Sequence, residues 1–90
     1  MQLVRWSDDA AAQFQAIYDY VAVFDQLAAE RLAGRLFDAA ESLASFPRRG
    51  RQLWSGLHQL SVVYPYLIRY EVTDDLVTIV SVRHGARGEG

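Results

Sequence analysis

Every cation in this chain is an arginine: nine of them, with no lysine. Six of the nine lie after residue 46, at Arg48, Arg49, Arg51, Arg69, Arg83 and Arg87. A guanidinium is planar, permanently charged and able to grip a carboxylate or a phosphate with two parallel hydrogen bonds. One histidine, His84, stands inside the run Arg83-His84-Gly85-Ala86-Arg87. Guanidiniums gathered beside an imidazole could hold an RNA phosphate while the imidazole moves a proton. The same residues could equally pair with the acids of a bound protein, or keep a surface soluble. Other chemistries find no support. His58 and His84 have no cysteine or histidine–carboxylate cluster at ligand spacing, so no metal site is expected. The glycines are scattered singly, which excludes a phosphate-binding loop, and Ser55, Ser61 and Ser81 lack the setting of an activated nucleophile. No cofactor is expected.

The elements that position these residues follow from periodicity. Leu3-Val4-Arg5-Trp6 reads as a short strand. Ser7 offers an N-cap hydroxyl, and Asp8 and Asp9 fall where a helix dipole favours anions. Ala11, Phe14, Ile17, Tyr18 and Val21 then recur at helical spacing, so a first helix is expected from about residue 8 to 23. A second, from about 27 to 45, shows Leu32, Leu36, Ala39 and Leu43 on one face. Two helices so closely joined should form an antiparallel hairpin. Phe46-Pro47 ends the second helix, because a residue before proline avoids the helical region. Arg48-Arg49-Gly50-Arg51 reads as a basic turn and residues 52–56 as loop.

The period then changes from 3.6 to 2. Residues 58–63 alternate, Tyr64-Pro65 marks a turn or bulge, and residues 66–72 form the clearest strand. On it Ile68, Tyr70 and Val72 share one face, and Leu67, Arg69 and Glu71 the other. Thr73-Asp74-Asp75 makes a hairpin turn. Residues 76–82 are apolar on both faces, as suits a central strand. The order β-α-α-β-β-β predicts an α+β domain, its helix hairpin packed on one face of a small, mostly antiparallel sheet. The opposite face is left open, where Arg69 could meet some of Arg83, His84 and Arg87. Trp6 and Trp54 read as core or groove lining.

Composition bounds the function. Ninety residues, 51% of them hydrophobic and 12% aromatic, make one domain spanning residues 1–90 with a modest core. The absence of cysteine suits a reducing, cytoplasmic setting. The N-terminus lacks the features of a signal peptide, and no apolar run is long enough to span a membrane. The net charge of −2 argues against a protein built to grip nucleic acid through phosphates, and direct sequence-specific DNA binding is not expected. The charge is nonetheless polarised. Residues 1–46 carry seven acids and three arginines, residues 47–90 four acids and six arginines.

Trp6-Ser7 followed by Ala10-Ala11, Ile17 and Tyr20 resembles the opening of a RelE/ParE-superfamily toxin. So do Ala28-Ala29 near the start of the second helix and Leu43, Phe46-Pro47 and Gly50-Arg51 at its end. The runs Tyr66-Leu67-Ile68-Arg69-Tyr70-Glu71-Val72 and Val82-Arg83-His84-Gly85-Ala86-Arg87 resemble the last strands. The ordered set covers almost the whole chain. The resemblance implies a toxin of a type II toxin–antitoxin system, with an antitoxin segment that folds over the helix hairpin and sheet. The family has two activities. RelE-like members cut mRNA on the ribosome, and ParE-like members inhibit DNA gyrase. The nuclease-type arginine of the third strand falls on Leu67 here, with Arg69 two positions along the same face, and the nuclease-type lysines are absent. The Arg-His-Gly-Ala-Arg ending looks more like the ParE side, so that branch is favoured. Arg48, Arg49, Arg51, Leu67, Arg69, Arg83, His84 and Arg87 would then meet gyrase or the antitoxin. In a ribosome-dependent nuclease, Arg69 and Arg83 would stabilise developing charge and His84 would transfer the proton. An inactive relative that only pairs with its antitoxin is the third reading.

Overall fold

Ser7 does two jobs at the start of the first helix. Its Oγ accepts the Ala10 amide, capping the helix, and donates to the Val80 carbonyl of a distant strand. The computed structural model describes residues 2–85. In chain order its elements are β1 (Leu3–Trp6), α1 (Asp8–Phe24), α2 (Gln26–Glu41), a 3₁₀ turn (Ser42–Ala44), β2 (Arg51–Trp54), β3 (Leu57–Leu60), β4 (Tyr66–Val72) and β5 (Leu76–His84). A single residue, Asp25, separates the helices, and its carboxylate accepts the Ala28 amide to cap α2. The five strands form one sheet in the order β1-β5-β4-β3-β2, antiparallel except for the β1–β5 pair.

The helix hairpin covers one face. Ala10, Leu36, Ala39, Ala40 and Leu43 pack onto Leu60, Ile68, Tyr70, Val77, Ile79 and Val82, all nearly or fully buried. On α1 the buried small residue is Ala10, whereas Ala11, expected on the apolar stripe, is exposed. A helix turns 100° per residue, so the stripe through Phe14 and Ile17 is centred one position earlier than the sequence suggests.

Four further expectations are corrected. The stretch read as turn and loop contains a strand, so the order is β-α-α-β-β-β-β. β2 is held by backbone pairing to β3, with Arg51 opposite Gln59 and Gln52 opposite His58, and it closes through Gly56 at φ 79°. An edge strand with both faces largely in water needs no apolar alternation, and Trp54, read as core or groove lining, is accordingly 65% exposed. The second helix tightens into the 3₁₀ turn after Glu41 instead of running on to Ser45. β3 stops at Leu60, and residues 61–65 turn so that the Tyr66 amide donates to the Val63 carbonyl at 2.8 Å.

Tyr70 fastens the long connection between the layers. Its buried hydroxyl donates to the Pro47 carbonyl at 2.9 Å and accepts the Gly50 amide at 2.8 Å. Burial pushes the phenol above its ordinary value near 10, opposed by the Gly50 amide and the nearby Arg49 charge. Gly50 allows this approach, because a Cβ there would lie 2.6 Å from the Gln59 carbonyl oxygen and 2.7 Å from the Tyr70 hydroxyl.

Tyr70→Phe leaves the part-buried Pro47 carbonyl and Gly50 amide without this partner. The expected cost is about 1–3 kcal/mol, a fall of roughly 5 °C or more in Tm by circular dichroism. The folded phenol holds its proton more tightly than the unfolded one. Its contribution is therefore complete below pH about 10 and is lost as pH rises through the folded value. Chemical denaturation across that range should show the loss in the native chain and less of it in Tyr70→Phe.

Candidate functional site

The sheet face opposite the helices is built by strand alternation, with one irregularity. On β5, Val77, Ile79 and Val82 all turn toward the helices, although Ile79 and Val82 are three residues apart. The register shows why. Tyr70 pairs with Ile79 and Arg69 with Ser81, so Val80 is an extra residue, a β-bulge. Beyond the bulge Ile68 faces Val82, Leu67 faces Arg83 and Tyr66 faces His84. Backbone groups at the bulge are satisfied from α1. The Ser7 hydroxyl donates to the Val80 carbonyl, and the Gln13 Oε1 accepts the Val82 amide at 2.8 Å.

Four strands consequently lay Arg51, Gln59, Arg69 and Ser81 side by side on the face away from the helices, Ser81 itself being buried. Neighbouring strands are about 4.8 Å apart, so this row is roughly 15 Å long. The Arg69 Nε donates to the Gln59 Oε1 at 3.0 Å, which ties the guanidinium to the neighbouring strand. Arg83 lies on the same face one step toward the end of the sheet, opposite Leu67. At the other end, alternation in β1 turns Val4 and Trp6 into the core, which puts Arg5 on the open face next to Thr78. Arg5 was missed in the sequence because β1 lies far from the other arginines along the chain. The visible signal was the alternation of Leu3-Val4-Arg5-Trp6. Glu71 is the carboxylate of β4 on this face, opposite Leu57 and Thr78.

The remaining sequence candidates separate. His84 follows Arg83 and so turns to the helix side, where its ring meets Tyr66 edge to face at 5.3 Å. Arg48 and Arg49 belong to the end of the helix layer: both line a groove with Ser42, Phe46 and Pro47, and Arg49 Nη1 donates to the Ser42 Oγ at 2.7 Å. Arg51, two residues on, sits on the sheet. The basic turn is therefore divided between two surfaces. Arg87 lies outside the described residues. Among the described residues no group of three or more His, Asp or Glu side chains could hold a metal ion, and no helix is long and apolar enough to cross a membrane.

Chemically, the open face can bind an anionic surface, carboxylate or phosphate, through Arg5, Arg51, Arg69 and Arg83. The other histidine is remote from it. His58 pairs with Tyr70 on the helix side, is 5% exposed, and stacks on the phenol ring at 5.3 Å and 18°. Its Nδ1 is buried without a hydrogen-bond partner. A phenylalanine keeps the ring contact and removes the unpaired nitrogen, so His58→Phe should match or exceed the native Tm while His58→Ala lowers it. A clear fall in the Tm of His58→Phe would show that the imidazole makes a bond this geometry lacks.

Known proteins share both sequence and fold. Residues 4–88 match the family described as the ParE toxin of the type II toxin–antitoxin system parDE. The chain is 52% identical over 87 residues to Toxin RelE2 of Caulobacter vibrioides, covering 97% of this chain and 99% of that protein. It is 31% identical over 83 residues to the putative toxin Y4kP of Sinorhizobium fredii, covering 90% of this chain and 85% of that one. A solved structure described as the chromosomal ParDE TA system from P. aeruginosa superposes with a TM-score of 0.79 at 21% identity, over 93% of this chain and 96% of that one. Its likeness bears out the two-helix, five-strand fold. The match of nearly the full length to the family, together with these relatives, establishes that the chain belongs to the ParE toxins of type II toxin–antitoxin systems, within the RelE/ParE superfamily.

Proposed function

We propose that this toxin arrests growth by binding DNA gyrase, and that a cognate antitoxin neutralises it by covering the helix hairpin and the open sheet face. The observation that supports this reading is the parity of β5. The bulge at Val80 sends Arg83 to the open face with Arg69 but turns His84 to the other side, against Tyr66. A proton-transfer group must come within hydrogen-bond reach of the reacting atoms that the arginines hold. An imidazole on the opposite face of the sheet is badly placed for that role. Arginines on a strand face from which His84 is turned away suit a protein interface in which carboxylates of a partner are read by guanidiniums.

A second reading, cleavage of mRNA on the ribosome, is favoured by the arginine row itself. Arg51, Arg69 and Arg83 would suit a phosphate backbone as well as they suit carboxylates.

The two readings separate on induced expression without antitoxin, followed in parallel by protein synthesis and plasmid supercoiling. Gyrase binding predicts early loss of negative supercoiling and a DNA-damage response while translation continues. It also predicts that His84→Gln stays within about threefold of the native toxicity, whereas loss of a general acid should cost on the order of 10²-fold. Rapid translation arrest with cleaved mRNA, abolished in His84→Gln, would overturn the gyrase reading. Undisturbed growth with soluble, folded protein would leave a chain that only pairs with its antitoxin.

A further inference from the structure

Two surface features lie outside the sheet face and at opposite ends of the helix hairpin. At the turn between the helices, Tyr20, Val23, Phe24 and Leu27 are 61, 78, 74 and 54% exposed. The rings of Tyr20 and Phe24 pack edge to face at 5.4 Å, so they stand as one knob. Single exposed apolar residues are ordinary, but a contiguous group rimmed by charge marks a contact surface. The rim here is mainly acidic: Asp19, Asp25 and Glu30, all exposed, with a single arginine, Arg31, next to Glu30.

The other end carries the complement. Phe46, 65% exposed, and Pro47 form the apolar part of a groove of about 730 Å³ whose remaining wall is Ser42, Arg48 and Arg49. A hollow beside it adds Arg35, with Asp38, next to Arg49. The groove is already built. The Phe46 amide donates to the Ser42 carbonyl, the Arg49 amide to the Phe46 carbonyl, and Tyr70 clamps Pro47 and Gly50 from below. Little ordering entropy is left for a ligand to overcome.

We propose that the aromatic knob of one copy seats in the arginine-rimmed groove of a second copy, so that the free toxin self-associates head to tail. Charge complementarity selects this occupant. Knob against knob would set acid against acid, and groove against groove arginine against arginine, each unfavourable. α2, 16 residues long, holds the two ends roughly 24 Å apart, so a chain's knob cannot reach its own groove. A contact between two different patches does not close on itself as a two-fold dimer does, and it propagates into chains or rings. Each contact is small, which places the association at the weak end of protein interfaces.

The test is sedimentation velocity of the full chain from about 10 to about 500 µM, the range where weak contacts populate, at low and high salt. The native chain should sediment faster as its concentration rises, and less so in about 0.5 M salt, where the rim charges are screened. Phe24→Ser removes the knob and Arg48→Glu the groove. Each residue is exposed, and each variant alone should remain monomeric. Mixed in equal amounts, the two variants should form a one-to-one dimer and nothing larger, because only one competent knob and one competent groove remain. Tyr20→Ser with Phe46→Ala serves as a second pair if either variant melts early. A native chain that stays monomeric throughout overturns the proposal and assigns both patches to other proteins. Association of the native chain without rescue in the mixture overturns it too, since the contact must then lie elsewhere.

Discussion

One extra residue in the central strand controls both faces of this protein. β5 has neighbours on either side, and its inward residues must meet the helix hairpin along its whole length. Strict alternation from Ile79 would turn Ser81 inward and Val82 out to solvent. The bulge at Val80 shifts the parity once, so that Val82 joins Val77 and Ile79 against α1 and α2. Apolar burial favours this by roughly the 1.5–3 kcal/mol expected for a valine-sized side chain taken out of water. Bulging also takes backbone groups out of the ladder, and these would be costly if left unpaired. Ser7 and Gln13 supply the missing bonds, which ties the start of α1 to the irregular part of the strand. The same shift sets the chemistry of the open face, because it decides that Arg83 and not His84 accompanies Arg69.

Tyr70 is the second fixed point. Its ring is in the core beside Ile68 and its hydroxyl reaches the Pro47–Gly50 connection, so one side chain joins the sheet to the segment that follows α2. That segment divides three neighbouring arginines. Arg48 and Arg49 remain with the helix end, where Ser42 and Phe46 also lie, and Arg51 enters β2 and turns to the open face. A cluster that looks like one basic patch in sequence thus serves two surfaces. The absence of a Cβ at Gly50 makes this close passage possible.

Fold and function separate here in a way general to small α+β proteins. The superfamily membership follows from sequence matched along nearly the full chain, and the solved relative at 21% identity bears on the fold alone. Related folds with different surface chemistry carry different activities, so the fold alone does not name a target.

Much of this could be read from the residues. Periodicity located both helices and the strands over residues 66–72 and 76–82, because buried faces impose apolar spacing of 3.6 or 2 on any chain that packs a core. Ser7 identified the first cap, and the polarity of charge was plain from composition. β2 was invisible, since an edge strand exposed on both faces leaves no apolar rhythm and is specified by backbone pairing. The placement of His84 was equally hidden. A bulge changes which face a side chain takes without changing its residue type, and the valines and isoleucine of β5 would suit either face of a central strand. Sequence by itself therefore determined both helices, the strands that carry a buried face and most of the candidate arginines, but not the edge strand β2. Only the tertiary structure decided which of those arginines share a surface, because that depends on strand register, and register is set by packing between residues distant in the chain.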